Sequence, residues 1–326
     1  MQDRFRIGTF NLYNLVLPER VYYRTRQYSP EDYRRKIAWI AGQLIEMNAD
    51  VVGFQEIFDR AALEEALQAS GLYEGADLVV GAERPDGPVV GLVSRFPVLE
   101  YEFIENFPPP AQLTINNSPI PLQTFSRPVL YARLRLPTGQ PVMFFVVHLK
   151  SKNPMIDEES DRHDPLERAL GKARALIQRA AEATAARCLL LERLEGNNNP
   201  LILMGDINDS GHAVTSEIIA GSPPWRNLES RIKRQIWDTL LYNVNDIQAR
   251  QSYRDVYYTY IHNGHYESLD HILVSQEFVR QNPNHIGIVE YVRVFNDHLI
   301  DDTLTEDTVP CWQSDHGQVV ATIQLR

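Results

Sequence analysis

Short runs of β-branched and other apolar residues, closed by Gly, Pro, Asn or Asp, recur along the chain and predict strands. These predicted strands lie at residues 5–10, 51–55, 78–80, 89–94, 129–136, 142–148, 201–205, 269–275 and 319–325. Between two of them, the sequence Pro-Thr-Gly-Gln at 137–140 predicts a hairpin turn. Nine predicted strands are therefore spread along the chain.

Three segments instead show helical spacing. Ser29, Pro30, Glu31 and Asp32 have the composition of a helix start, and apolar residues at helical spacing follow them up to Ile45. A second helix is predicted between Asp59 and Gly71, and the longest is predicted from about 165 to 194. No repeat and no composition shift divides the chain, so we expect one domain over 1–326, an α+β sandwich with its helices outside.

Charge and apolar content exclude several classes of protein. The formal net charge is −11, which argues against a protein held on polyanions by a basic surface. The longest apolar run, 142–147, is far too short to span a membrane. Cys188 and Cys311 are predicted to be reduced, with no structural zinc. We expect a cytoplasmic protein, or an exported one whose signal peptide this chain lacks.

Polar residues recur where a predicted apolar strand ends, and strand ends present side chains rigidly to one edge of a sandwich. Six motifs stand at these positions: Thr-Phe-Asn-Leu at 9–12, Gly-Phe-Gln-Glu at 53–56, Val-His-Leu-Lys-Ser-Lys at 147–152, Met-Gly-Asp-Ile-Asn-Asp at 204–209, Ser-Leu-Asp-His-Ile-Leu at 268–273 and Ser-Asp-His at 314–316. In this order they resemble the endonuclease/exonuclease/phosphatase superfamily, and most of all its bacterial extracellular-type nucleases. The resemblance implies a four-layered α/β/β/α sandwich, two packed mixed sheets flanked by helices, that acts as a Mg²⁺-dependent phosphoesterase.

By this resemblance, Glu56 is expected to bind a divalent cation, with Asn11, Asp315 and Asp206 beside it. Carboxylate and amide oxygens are ligands that Mg²⁺ prefers, and Mn²⁺ or Ca²⁺ are the expected substitutes. Two structural alternatives remain open. Glu56 can form a surface ion pair, and Asn11 can initiate a turn.

Three of the nine histidines lie in these motifs: His148 and His316 are the candidates for chemistry, and His271 is expected to pack beneath the site. A histidine can transfer a proton or, when charged, stabilise a phosphate. Asp270 resembles the carboxylate of an Asp–His pair with His316, an arrangement that fixes the imidazole tautomer. We expect His316 and Asp206 to position and deprotonate the attacking water, and His148 to bind a phosphate oxygen.

Asn208 and Arg127 are predicted to bind phosphate oxygens as well. Asp206 and Asn208 are two residues apart, so both project to one side if the strand persists that far. The alternative is an Asx turn. Arg127 resembles the phosphate-contacting arginine of the pancreatic deoxyribonuclease branch, and Lys150 is a further substrate-binding candidate; each can instead be an ordinary surface cation.

Two groups of residues receive no role in the site. The resemblance implies a tyrosine near the scissile phosphate, but the chain has 15 tyrosines and the sequence does not identify which of them it is. The basic residues of the third helix are predicted to form a solvated face. They are Arg168, Lys172, Arg174, Arg179, Arg187 and Arg193.

These residues predict a Mg²⁺-dependent phosphodiesterase that hydrolyses DNA, RNA or both by in-line attack of an activated water, and that is a monomer. The alternative is a phosphomonoesterase, or a phosphodiesterase acting on lipids or small molecules, of the same superfamily. A non-catalytic scaffold is disfavoured because every acidic and histidine position of the motifs is filled.

Overall fold

The computed structural model describes residues 4–84, 87–157, 160–225, 227–249, 251, 257–262, 264–301, 305 and 307–326. Its strands are β1 (Arg4–Leu15), β2 (Val51–Ile57), β3 (Asp77–Val80), β4 (Val89–Ser94), β5 (Val98–Asn106), β6 (Thr114–Ile115), β7 (Ser118–Pro119), β8 (Thr124–Arg135), β9 (Pro141–His148), β10 (Leu201–Asp206), β11 (Leu241–Asn243), β12 (Tyr260–His262), β13 (His265–Glu267), β14 (Asp270–Ser275), β15 (Gly287–Phe295) and β16 (Gln318–Leu325). Its α-helices are α1 (Pro30–Met47), α2 (Arg60–Ser70), α3 (Pro165–Leu194), α4 (Val214–Ala220), α5 (Ser230–Asp238) and α6 (Val244–Ala249). None of these helices has the length and apolar character that crossing a bilayer needs.

Most of the strands form two six-stranded mixed sheets. The first has the order β15-β16-β1-β2-β4-β3, and the second has the order β11-β14-β10-β9-β8-β5. Each sheet has a parallel pair near its centre, β1 with β2 and β9 with β10, and its other neighbouring strands are antiparallel. Since parallel strands end at the same edge of a sheet, these pairs bring the ends of β1, β2, β9 and β10 to defined edges.

Apolar side chains fill the space between the layers. One cluster, including Ile7 and Val146, lies between the two sheets. A second joins α1 and α2 to the outer face of the first sheet, for example Ile40 with Phe54, and a third joins α3 to the second sheet through Leu190. Burial of each such large side chain contributes about 1.5–3 kcal/mol. The order helix, sheet, sheet, helix confirms the predicted α+β sandwich.

The three predicted helices are present, and local capping explains where they begin and end. The Oγ atom of Ser29 accepts a hydrogen bond from the backbone N–H of Asp32 at 3.0 Å and so caps α1. Gly71 ends α2 at a φ of +66°. Asp59 precedes α2 but does not cap it, because its carboxylate accepts from Leu17 N–H instead.

Every predicted strand is present, but two long ones were missed. These are β5 and β15, which lie at the edges of the second and first sheets. Edge strands bury at most one face and carry charged residues, which weakens the apolar pattern that identifies a strand. In β5 this polar character comes from Glu100, Glu102 and Glu105, and in β15 from Glu290 and Arg293.

Gly205 sits in β10 directly before Asp206, and its φ of +140° lies in a region that glycine alone adopts readily. A methyl group at this position would overlap the carbonyl oxygen of Val147 on the neighbouring strand β9. The close approach of β9 and β10, which sets where Asp206 lies, therefore depends on the absence of a side chain.

We expect Gly205→Ala to lower the free energy of unfolding by about 3 kcal/mol, because backbone strain and overlap with β9 add. Gly42→Ala is the matched control, since nothing lies within 4 Å of a methyl group at this helical position. Alanine there should raise stability slightly, by up to about 1 kcal/mol. Chemical denaturation measures both, and equal effects would show that Gly205 is not constrained.

Candidate active site

The ends of the central strands bring the predicted site residues to one edge of the sandwich. Asp206, at the end of β10, pairs in register with His148 of β9 on one side and with Asp270 of β14 on the other. Asn11 of β1 belongs to the other sheet, yet its Nδ2 atom donates to Asp206 Oδ2 at 3.2 Å. The edge where the two sheets meet is therefore lined by polar side chains.

Asp270 and His316 form a buried pair. The Nδ1 atom of His316 lies 2.8 Å from Asp270 Oδ2, the contact expected from the sequence. Burial alone would lower the pKa of His316, but the charge and hydrogen bond of Asp270, with Asp206 and Asp315, raise it well above its usual value. These carboxylates therefore favour the protonated form of His316.

The segment that carries His316 is fixed to β1. The Ser314 hydroxyl donates to the carbonyl of Asn11 at 2.7 Å and accepts from the backbone N–H of His316 at 3.0 Å. The ring of Tyr260 lies over the imidazole of His316, with 4.9 Å between the ring centroids. These contacts leave the imidazole little freedom to reorient.

His148 is neutral, in contrast to His316. Burial lowers the pKa of His148 well below its usual value, and the charge of Arg127 adds to this effect. Its Nε2 atom lies 3.5 Å from Asp206 Oδ2 and 4.0 Å from Glu56 Oε1. One edge thus holds a charged and a neutral histidine, a separation typical of acid–base and phosphate-binding sites.

Carboxylates crowd the space between these histidines. Among the described residues, the group whose candidate ligand atoms all lie within 4.8 Å of one another is Asp206, Asp270 and His316. Burial raises the pKa of Asp206 to about 7. Burial also raises the pKa of Asp315 to about 6; the charge of His316 opposes this rise, and that of Glu56 adds to it.

This arrangement fits a divalent cation. The buried Asp315 Oδ1 atom has no hydrogen-bond partner, although an unpaired buried carboxylate oxygen is costly. Glu56 lies at the end of β2 with a φ of +65°, and its Oε2 atom accepts from the backbone N–H of Asn14 at 2.9 Å. Its other oxygen faces His148. Hard, negatively charged oxygens are the donor set that Mg²⁺ selects.

Two sequence expectations need correction. Strand β10 ends at Asp206 and Asn208 adopts a φ of +58°, so the two side chains do not continue a strand pattern. Asp206 Oδ1 accepts from Asn208 N–H at 2.8 Å, which is the Asx turn held as the alternative, and the Asn208 amide donates to the carbonyl of Leu149. The second concerns Asn11, which was expected beside Glu56: its amide donates to Asp206, because β1 faces β10 across the seam between the sheets.

Arg127 and Lys150 differ in how they face the site. Arg127 donates to the carbonyl of Leu149 at 3.3 Å, and its charge acts on His148. The ammonium of Lys150 instead donates to Ser151 Oγ and to the carbonyl of Asn153, so it turns into its own loop. The structure therefore brings Arg127 closer to the predicted role than Lys150.

Helix α3 supplies two buried charged residues that the sequence analysis assigned no function. Glu182 is fully buried and accepts from the backbone N–H groups of Ser126 and Lys150, at 2.9 and 2.7 Å. Arg179 is also buried, which corrects its assignment to a solvated face, and it binds Asp209 and the carbonyl of Lys150. The two side chains tie together the strand ends that carry Arg127, Lys150 and Asp206.

Helix α1 contributes a further buried cation, Lys36, that the sequence analysis did not identify. Burial lowers the pKa of Lys36 to about 7, although the charges of Glu56 and Asp315 act in the opposite direction. Its ammonium donates to the carbonyl of Tyr13 at 2.8 Å. Tyr260 is a second missed residue; its place in a Tyr-Thr-Tyr run just before the motif of Asp270 was the available signal.

The structure is a two-sheet sandwich with a buried acid–histidine cluster at one edge. Comparison with protein families assigns this arrangement to a family. The chain belongs to the Endonuclease/Exonuclease/phosphatase family, whose model matches residues 8–316. This match confirms the resemblance drawn from the motifs. A comparison with curated protein sequences gives no match.

Solved structures share the fold at low sequence identity. D. rerio TDP2 complexed with a single strand DNA product is 16% identical, with a TM-score of 0.56 and 99% of each chain covered. A Bacteroides thetaiotaomicron mannosyl-6-phosphatase is 15% identical, with a TM-score of 0.56 and coverage of 98% of this chain and 99% of that chain. The human Nocturnin catalytic domain with bound sulfate is 16% identical, with a TM-score of 0.54 and coverage of 100% and 96%.

We expect Glu182→Gln to lower the free energy of unfolding by about 2 kcal/mol, because an amide cannot accept from both backbone N–H groups as a carboxylate does. Glu192→Gln, on the exposed part of the same helix, should change it by less than about 0.5 kcal/mol. Urea denaturation measures both variants. Equal, small effects would mean that Glu182 does not hold the strand ends.

Proposed function

We propose that this chain is a divalent-metal-dependent phosphodiesterase that hydrolyses nucleic acids. The observation that carries the proposal is the buried Asp270–His316 pair beside Asp206, at an edge crowded with carboxylates. Membership of the family supports phosphoric ester chemistry, and a structural neighbour, D. rerio TDP2, has been solved with a single strand DNA product.

Glu56 is the proposed principal ligand of the cation, with Asp206, Asp315 and Asn11 beside it. Mg²⁺ is the favoured ion because these donors are hard oxygens, and Mn²⁺ or Ca²⁺ can substitute. When bound, the cation neutralises the negative charge of the reacting phosphoryl group. The unpaired oxygen of Asp315 and the Glu56 oxygen that lies 4.0 Å from His148 support this assignment.

The chain's own groups divide the remaining work. Asp206 lies between His148 and Asp270 on the neighbouring strands, so it is suited to position the attacking water and accept its proton. Because Asp270 favours the protonated form of His316, we assign His316 as a hydrogen-bond donor to the phosphoryl group, in place of the shared role in deprotonating the water that was expected from the sequence. Neutral His148 and the guanidinium of Arg127 are placed to bind the other phosphate oxygens.

Asn208 and Lys150 take lesser parts in this proposal. The Asn208 amide already binds the carbonyl of Leu149, which leaves one N–H for substrate. Lys150 must release Ser151 and Asn153 before its ammonium can reach a phosphate. Both residues are therefore expected to affect KM more than kcat.

A substrate panel tests the function directly. Purified protein is incubated with plasmid DNA, single-stranded DNA, RNA, bis(4-nitrophenyl) phosphate and mannose 6-phosphate, each with Mg²⁺ or with EDTA. Cleavage of a nucleic acid that EDTA abolishes supports the proposal. Hydrolysis of the monoester alone would transfer the assignment to a phosphomonoesterase, and inactivity on all substrates would support a non-catalytic protein.

We expect Glu56→Gln to reduce kcat/KM by about 100-fold or more, because loss of the negative charge weakens binding of a hard cation. The fold should persist, since a glutamine oxygen can still accept from Asn14 N–H. Turnover is measured against Mg²⁺ concentration, with melting temperature as the check on folding. Glu46→Gln, an exposed residue of α1, is the control. Unchanged turnover at saturating Mg²⁺ would contradict the role of Glu56.

Asp270→Asn should reduce kcat by about 100-fold or more, because the amide removes the charge that supports the His316 cation and favours an unproductive tautomer. His316→Ala should cost at least as much. The double variant should be little worse than His316→Ala, since residues that act as one unit are non-additive. Kinetics of the four proteins test this. Multiplying losses, or a collapse of Mg²⁺ affinity in Asp270→Asn, would show that Asp270 acts independently of His316.

A further inference from the structure

A tight aromatic turn lies between β1 and α1, close to the candidate site. The backbones of Tyr22 and Arg26 bond to each other in both directions, at 2.8 and 3.0 Å. The two residues at the tip, Tyr23 and Arg24, both have positive φ values, 45° and 67°. Non-glycine residues pay a strain cost in this region, so neighbouring contacts must hold the turn in place.

The ring of Tyr23 packs against other aromatic rings and is also partly exposed to solvent. It stands perpendicular to the buried ring of Phe58, with the ring centroids 5.5 Å apart, and it also contacts Tyr22. Tyr22 in turn stacks on the buried ring of Tyr28. Tyr23 nevertheless remains 47% exposed. A rigidly held aromatic ring with solvent access loses little conformational entropy when a ligand stacks on it.

This ring borders the catalytic edge. Phe58, on which it rests, lies two residues beyond Glu56 on the same segment. Burial raises the pKa of the Tyr23 phenol to about 12, and the charges of Glu56 and Arg127 both act on it. The contact with Phe58 thus places the ring of Tyr23 beside the segment that carries the proposed ligand of the cation.

The composition of the turn fits a nucleic acid. Arg24 and Arg26 flank the exposed ring and are themselves exposed, in a chain whose net charge is −11. Aromatic faces bordered by cations bind single strands because every base has a π-face and every linkage has a charge. A sugar phosphate offers the charge without the planar base, so the exposed ring favours a nucleotide substrate.

We propose that Tyr23 is a stacking platform for a nucleobase of a single-stranded substrate whose scissile phosphate lies between Glu56 and Arg127. This inference rests on the proposed nuclease function and adds the base-recognition element to it. The ring binds the base next to the cleaved bond, and the neighbouring arginines bind the continuing backbone.

Two substrates of equal length separate stacking from backbone binding. One is an oligothymidylate, and the other is a base-free polymer of tetrahydrofuran phosphates with the same charge. We expect Tyr23→Ala to raise KM and Kd for oligothymidylate about 10-fold, while kcat changes little and the base-free polymer is unaffected. Tyr23→Phe should behave as the wild type, because the π-face is retained.

The matched control is Tyr291→Ala, on the edge strand β15, where the tyrosine is 45% exposed. It should leave KM and Kd for both substrates unchanged, and melting temperatures confirm that all variants are folded.

An equal loss of affinity for the two polymers in Tyr23→Ala would overturn stacking while leaving the nuclease function intact. The wild type could bind oligothymidylate more tightly than the base-free polymer and cleave neither. This result would contradict the nuclease function, and the effect of Tyr23→Ala on Kd would then test stacking by itself. Equal Kd values for the two polymers in the wild type would overturn stacking in either case.

Discussion

The burial of several carboxylates side by side, where the central strands of both sheets end, is the constraint on which the site depends. Asp206 and Asp270 are almost inaccessible to solvent and occupy paired positions on neighbouring strands. Each buried charge costs several kcal/mol unless it is compensated. The cation of His316 and the amide of Asn11 supply part of this compensation. Burial raises the pKa of Asp206, so a further positive charge beside it would stabilise its ionised form.

Buried charged residues on the flanking helices also contribute to the electrostatics of the site. From α3, Glu182 and Arg179 reach under the ends of β8, β9 and β10 and bind backbone groups of the segments that hold the site. From α1, Lys36 lies on the opposite side, where Glu56 and Asp315 act on its pKa. The helices therefore do more than cover the outer faces of the sheets. Each places a buried charged group beneath one wall of the site.

This division explains what the sequence could predict. Residues such as Glu56, His148 and Asp270 follow apolar strands, and a polar residue at a strand end stands out against its neighbours. Glu182 and Lys36 lie on amphipathic helices, where a charged residue ordinarily faces solvent. Their burial depends on backbone partners more than 20 residues away, at Ser126 and Tyr13, which no local pattern reveals.

Backbone conformation was the other feature beyond reach of the pattern. Asn208 and Tyr23 have positive φ values, which strand periodicity does not predict, so the sequence pattern could not indicate where either side chain points. The Asx turn at Asp206 is a clear case, because the same two residues fit a continued strand equally well from sequence alone. The sequence therefore predicts which residues lie at strand ends, but it does not predict the backbone conformation of those residues.

The negative net charge determines how such a site can recognise a polyanion. A chain of net charge −11 offers no net long-range attraction to a polyanion, so in the proposed function phosphate is bound by groups in direct contact, chiefly Arg127, His316 and the cation. Such short-range contacts fix a phosphodiester but do not distinguish a nucleic acid from another phosphate ester. Discrimination between these substrates must then come from uncharged contacts beside the phosphate. The proposed contact of this kind is the exposed ring of Tyr23, in the turn after β1.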